Sequence, residues 1–352
     1  MGLTQTMPAA VGSLKKGKRN LITDVEGVLV GHCTLSQGKQ QTGVTAVLPH
    51  PGDIFHDKVM AAVQVFNGFG KTMGLLQLEE MGSIETPILL TNTLSAGAVY
   101  DAVVRVMLEQ NGDIGDTTGT VNPIVCECND GRINNIRGLF VTEDHVRQAL
   151  ADCGVEFAEG AVGAGRGMLC HQCKGGIGSA SRVIELDGRE YTVGALVLTN
   201  HGKLRDLTVE GRPVGEEYLA SQEEWEDKGS CIMLLATDIP MSERQLRRMC
   251  RRAVIGLHRL GSYMGSGSGE LCIAFTTANR LPHDSRLDIL PVKMLHDDKM
   301  DLVFRAAAET VEESVLSSLL HSQGMEDRHG NWVPSLADIL KAGPSGGAGK
   351  GL

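Results

Sequence analysis

The chain has 352 residues, 42% of them hydrophobic and 4% aromatic, with 44 glycines and a formal net charge of −10. This length allows one large α/β domain or two ordinary ones, and the composition is that of a globular protein with many tight turns. The acidic balance argues against a general nucleic-acid surface, and Lys15-Lys16-Gly17-Lys18-Arg19 is too short a basic run to change that.

Residues 1–20 read as a loose arm without the apolar core of a signal peptide, and nothing in the chain approaches a membrane-spanning helix. Residues 22–32 alternate apolar and polar side chains with Gly at the turns, which predicts a strand pair, and 43–49 predict another strand. A buried strand is expected at 87–91. A helix follows over 96–110, with Val99, Val103, Val104 and Leu108 on one side, and a second helical stretch over 146–153. Residues 191–199 form a strong strand that ends on Asn200. Ser242-Glu243-Arg244-Gln245 is a capping box opening a helix with Leu246, Met249, Cys250, Ala253, Val254, Leu257 and Leu260 on one face and five arginines on the other, read as a solvated face or subunit contact rather than an anion site. A strand at 271–276 and a long helix at 302–321 complete the series. The Gly-rich tail 342–352 reads as disordered. No repeat or Pro-rich linker divides the chain, so 21–341 reads as one domain. Nine scattered cysteines give no even framework, which points to a reducing, cytoplasmic setting.

The most informative stretch is Lys228-Gly229-Ser230-Cys231, preceded by the acidic run 221–227 and followed by the apolar Ile232-Met233-Leu234-Leu235-Ala236. It reads as a self-cleavage site. Gly229 lacks a Cβ, so a hydroxyl can approach its carbonyl closely. Attack by Ser230 on that carbonyl turns the amide into an ester, and hydrolysis frees a Ser whose own α-amine, with a pKa of roughly 7.7–8.0, suits a general base. Ser268 and Glu270, two apart at a strand entrance, point to one side, where they can orient a nucleophile. Asn200, at the carboxyl end of a strand, is either an oxyanion donor or the cap of a turn with Gly202. Glu127 ends another strand and is either an ammonium ligand or a solvated turn carboxylate. Cys170-His171-Gln172-Cys173 has zinc-knuckle spacing, but no second Cys/His pair accompanies it, so no metal is expected there. Gly163-Ala164-Gly165-Arg166-Gly167 lacks the residues that complete a nucleotide motif.

Taken in order, these segments resemble the DmpA/BapA family of self-processing aminopeptidases, the L-aminopeptidase/D-amidase-esterases and β-peptidyl aminopeptidases. The likeness spans residues 22–341. Besides Gly229-Ser230 and Gly267-Ser268-Gly269-Glu270, it rests on Ile22-Thr23-Asp24-Val25, Asn67-Gly68-Phe69-Gly70, Leu90-Thr91-Asn92-Thr93-Leu94-Ser95 and Lys174-Gly175-Gly176-Ile177-Gly178. The resemblance implies a four-layer αββα sandwich, like the Ntn hydrolases in layering but different in connectivity. It implies a chain cut into 1–229 and 230–352, which stay intertwined, and a homo-oligomer, often a tetramer of such pairs.

By the same resemblance Ser230 is the new N-terminal nucleophile, Ser268 and Glu270 support it, Asn200 donates to the oxyanion and Glu127 holds the substrate's free amine. Asn129 stands where some relatives carry a Tyr that assists the oxyanion. The expected substrates are small peptides, amino-acid amides or esters with a free amino group, with no metal or organic cofactor and no nucleic-acid or membrane partner. The rival readings are an acyltransferase like the ornithine acetyltransferases, which cut themselves before a Thr, and a non-catalytic scaffold of the same fold.

Overall fold

A computed structural model of the chain describes residues 11–218 and 229–342. The first ten residues, the acidic run 221–227 and the tail from 343 lie outside the described residues. The longer elements, in chain order, are β1 (Leu29–Gln37), β2 (Gln40–Leu48), β3 (Asp57–Gly68), β4 (Ile88–Asn92), α1 (Ala96–Gln110), β5 (Ile124–Cys128), α2 (Glu143–Ala151), β6 (Ile177–Leu186), β7 (Arg189–Asn200), β8 (Ser230–Thr237), α3 (Glu243–Arg259), β9 (Gly269–Pro282) and α4 (Met300–Leu320).

They make two sheets, each with one parallel pair. In the larger, β6-β7-β8-β9-β3 run side by side, with Lys15–Lys16 on one edge and Ser83–Ile84 on the other. The smaller has the order β1-β2-β4-β5. The parallel pairs are β8–β9 and β4–β5, and each is joined by a crossover helix, α3 and α1 respectively, as parallel pairing requires. Ile232 and Leu234 of β8 and Leu196 and Leu198 of β7 share the core between the sheets, where Cys128 Sγ of the other sheet lies 3.7 Å from Leu198 O, while Met233 and Leu235 share a second core with residues of α3 and α4. Helices α1 and α2 cover the outer face of the smaller sheet. The layering is therefore αββα, the arrangement expected.

Helix α3 starts where its capping box requires, with the Ser242 hydroxyl accepting from Gln245 N. It buries Leu246, Met249, Cys250, Ala253 and Leu257, one face at helical spacing. Its outward arginines find partners: Arg247 pairs with Glu243, Arg244 with Asp297, Arg251 donates to Gln64 Oε1, and Arg252 lies 4.2 Å from the Phe304 ring centroid. The helix read over 96–110 has those bounds, although Leu108 proves exposed rather than core.

Two expectations fail. Residues 22–24 are a 3-10 turn instead of a strand, with Leu21 N and Arg19 N donating to the Asp24 carboxylate. Residues 11–20 are also docked instead of loose. Lys15–Lys16 pair with Val183 and Arg182 of β6, and Ser13 N and Leu14 N donate to Glu309 of α4. The cause is Arg182, fully buried with Glu309 and Glu313 as counter-ions and Val11 O as a further acceptor. A buried guanidinium needs its donors filled, and the segment 11–16 completes that set. Among the described residues no helix is long and apolar enough to cross a membrane.

Candidate active site

The site forms where three strand ends meet. Ser230, the first residue of β8, lies opposite Asn200 of β7 and beside Gly269 of β9. Ile232 and Leu234 place the even-numbered face of β8 in the core between the sheets, so Ser230 and Asn200 face the second sheet. The Ser230 hydroxyl donates to the Gly229 carbonyl oxygen at 2.7 Å, and Gly269 N donates to the same oxygen at 3.1 Å. The peptide group before the serine thus carries its prospective attacker and a backbone N–H on one carbonyl. Gly229 is required sterically: a Cβ there would lie 1.9 Å from Asn200 O and 2.7 Å from His201 Cα.

Asn200 is held by both ends of its amide. Leu169 N donates to Oδ1 at 3.0 Å, and Nδ2 donates to Asn129 O at 3.1 Å. One N–H remains for another acceptor. The turn that presents Leu169 is clamped by the fully buried Lys174, whose Nζ donates to the carbonyls of Gly165, Met168 and Gly175. Burial pulls the Lys174 amine down to about 7.

Ser268 and Glu270 are both fully buried, and the Ser268 hydroxyl donates to Glu270 Oε1. Asn67 Nδ2 fixes the preceding loop through Gly265 O at 2.6 Å, and a bulge in the β9–β3 pairing follows Glu270. Cys231, next to the serine, is no rival nucleophile. It is fully buried, and burial, aided by the charges of Cys170 and Glu270, raises its thiol well above the ordinary value.

In the smaller sheet, Glu127 is the residue before the last of β5, with 2% exposure. Lys71 N donates to Oε1 at 2.6 Å, and the Thr93 hydroxyl donates to Oε2. The 69–71 turn bridges the two halves. A Cβ on Gly70 would lie 3.3 Å from Glu127 Oε1, and one on Gly269 would lie 2.8 Å from Gly70 N and 3.3 Å from Ser230 Oγ. Phe69 and Leu94 stand exposed at the rim. The 69–71 turn thus stands between the strand end that carries Ser230 and the buried Glu127 carboxylate.

The fold therefore brings Gly229, Ser230 and Asn200 together, sets Gly269 beside Ser230 with Ser268 and Glu270 flanking it in the chain, and places Gly70 between Gly269 and Glu127. Asn129 takes part differently from expectation. Its side-chain oxygen accepts from Gly131 N in a turn, and its backbone carbonyl is what meets Asn200. Sequence reasoning missed Lys71, Thr93, Leu169 and the Gly269 N–H. Three of these act through backbone atoms and leave no side-chain signature, although the Asn67-Gly68-Phe69-Gly70 motif ends directly before Lys71.

The sequence profile of peptidase family S58 matches residues 20–333. The chain belongs to that family. It is 37% identical to the β-peptidyl aminopeptidase BapA of Sphingosinicella microcystinivorans over 92% of this chain and 86% of that one. Among solved structures it is similar to the PH0078 protein of Pyrococcus horikoshii OT3, with a TM-score of 0.90 and 47% identity over 96% of both chains. It is also similar to the L-aminopeptidase D-Ala-esterase/amidase of Ochrobactrum anthropi, described as a variant of the Ntn hydrolase fold, with a TM-score of 0.86 and 37% identity over 94% of both chains. An S58 peptidase is a hydrolase, and the acyltransferase reading is not favoured.

Proposed function

We propose that the chain is a self-processing N-terminal-serine aminopeptidase and amidase, in which Ser230 is first the agent and then the product of its own release. The observation that carries this is the Gly229 carbonyl, which receives both the Ser230 hydroxyl and the Gly269 N–H. In processing, Ser230 Oγ adds to the Gly229 carbonyl carbon while Gly269 N–H stabilises the oxyanion, the hydroxyl proton is transferred to the Ser230 nitrogen, and collapse breaks the C–N bond to leave a free α-amine and an ester. The resulting ester is hydrolysed by water to a Gly229 carboxylate and a free Ser230 α-amine, giving chains 1–229 and 230–352.

In turnover the same hydroxyl attacks the acyl carbon of the first residue of a substrate. Its proton passes to the Ser230 α-amine or to the Ser268/Glu270 pair, and from there to the leaving amine. The remaining Asn200 N–H and the Gly269 N–H stabilise the oxyanion. Glu127, pre-set by Lys71 N and Thr93, pairs with the substrate ammonium and thereby selects amino-terminal residues. Water then cleaves the acyl-enzyme.

Esters fall within reach because they pass through the same acyl-enzyme. A homo-oligomeric assembly is part of this reading, supported by the exposed apolar run Leu287, Ile289, Val292 and Met294 between β9 and α4. Nine free cysteines support a reducing, cytoplasmic setting. The test is hydrolysis of L-, D- and β-amino-acid p-nitroanilides with free amines against their N-acetylated forms. Release confined to the free amines, and abolished by Ser230→Ala, supports the proposal. Equal release from acetylated substrates contradicts it.

A further inference from the structure

Behind the site, the hairpin that follows Leu169 brings a second group of reactive side chains together. Cys170 and Cys173 face each other across its two-residue turn, and His171 and Gln172 hold that turn with both φ angles positive, at 48° and 60°. Such a turn normally calls for Asn and Gly. A β-unbranched but bulky pair in both left-handed positions marks a place where the side chains matter more than backbone ease. The hairpin is tied to the end of β7, since His171 N donates to His201 O at 2.7 Å. One sulfur and two imidazoles result: ligand atoms of Cys170, His171 and His201 all lie within 4.8 Å of one another, and all three residues are buried.

Two details go beyond proximity. First, His201 is 3% exposed, and neither of its ring nitrogens has a hydrogen-bond partner. A buried imidazole left so is costly, and a metal bond removes the deficit at one nitrogen. Second, His171 Nδ1 lies 3.0 Å from Lys203 O. The carbonyl only accepts, so Nδ1 carries the proton and Nε2 the lone pair. This is the outer-shell contact that a metal-ligating histidine typically makes. The ring centroids of His171 and His201 are 5.5 Å apart. With Zn–N bonds of about 2.0–2.1 Å, two tetrahedrally disposed imidazoles on one ion have centroids roughly 5 Å apart.

We propose that Cys170, His171 and His201 bind a thiophilic transition-metal ion, zinc(II) in the first instance, that fastens the 169–174 hairpin to the end of β7. A thiolate with two imidazoles suits zinc or copper and not magnesium or calcium. Three protein donors are the number zinc takes where its fourth position is filled from outside the protein. His201 adjoins Asn200, and Leu169 N holds the Asn200 amide, so the ion steadies both supports of that side chain without touching the substrate. The sequence reading set a metal aside because Cys170-His171-Gln172-Cys173 had no partner pair. The third donor, His201, directly follows β7, 30 positions after His171, and is visible only in the fold.

The test uses untagged, metal-stripped full-length protein titrated with zinc(II) and, separately, cobalt(II) under reducing conditions, in native sequence and as Ser230→Ala. The expected result is one zinc per chain in both, and a cobalt spectrum with a thiolate-to-metal charge-transfer band. That band is lost in Cys170→Ser, and zinc binding weakens at least tenfold in His201→Ala. Circular dichroism of these variants shows whether they are folded, and the native titration decides the matter even if neither is. Substoichiometric zinc, or cobalt bound without a charge-transfer band, overturns the proposal. Binding that is lost in Ser230→Ala but kept in Cys170→Ser also overturns it, because it places the ion at the nucleophile.

Discussion

Gly229→Ala isolates the geometry on which self-cleavage depends. The added methyl would lie 1.9 Å from Asn200 O, 2.7 Å from His201 Cα and 2.8 Å from Asn200 C. All three are backbone atoms at or just past the end of β7, so no side-chain rotation relieves the clash. Reaching even a tight 3.0 Å contact needs a shift of 1.1 Å (3.0 − 1.9). A misplacement of about 1 Å at a reacting centre slows chemistry about 10²-fold, and overpacking of this kind costs about 1–3 kcal/mol of stability. The assay is a time course of precursor against fragments on denaturing gels. A parallel melting curve in the uncleavable Ser230→Ala background separates slow chemistry from failed folding. Cleavage within threefold of the native rate, with unchanged melting, would refute the steric argument.

Glu127→Gln keeps an oxygen for Lys71 N, makes the Thr93 hydroxyl an acceptor instead of a donor, and removes the charge. It should lower kcat/KM for free-amine substrates by roughly 2–5 kcal/mol, about 30-fold or more, which steady-state kinetics will read. Ser268→Ala and Glu270→Gln should each lower turnover about 10²–10⁴-fold, and the double variant should be little worse than either single one if the two act as a unit. Asp130 supplies a pH test. Burial raises its carboxyl from 3.8 to about 6 in the folded chain, so the native state holds a proton that the unfolded state has released in that interval. Its contribution is fully present below pH 3.8 and is lost as pH rises through 6, a change of roughly 3 kcal/mol. In the Ser230→Ala background, Asp130→Asn should therefore gain stability relative to its parent between pH 4 and pH 7, as measured by urea unfolding at each pH.

The elements that the sequence showed clearly are those whose signals are local. Residues 96–110 carry their own apolar stripe, 243–259 their own capping box, and 191–200 a β-branched run that ends on a polar residue. Strand β6 stayed hidden because Ser179, Ser181 and Arg182 look like surface residues. They are buried because their partners arrive from elsewhere, Ser179 bonding Ala195 O, Ser181 Asp24 and Arg182 Glu309. The same holds at the site. Ser230, Ser268, Glu270, Asn200 and Glu127 stood out as side chains at strand ends, and the resemblance to self-processing aminopeptidases gave each a role. The N–H groups of Gly269, Lys71 and Leu169 complete the arrangement, and backbone donors become visible only once strand register is known. At Asn129 the backbone carbonyl meets the Asn200 amide while the side-chain oxygen accepts from Gly131 N, a division that the residue type alone does not reveal.

The central claim is that Ser230 is released by attack on Gly229. Intact mass spectrometry of the purified chain under denaturing conditions tests it most directly. The account predicts two polypeptides, one ending at Gly229 and one beginning with an unblocked Ser230, and a single uncut chain for Ser230→Ala. A native chain that stays whole after prolonged incubation, or one cut at any other bond, contradicts it.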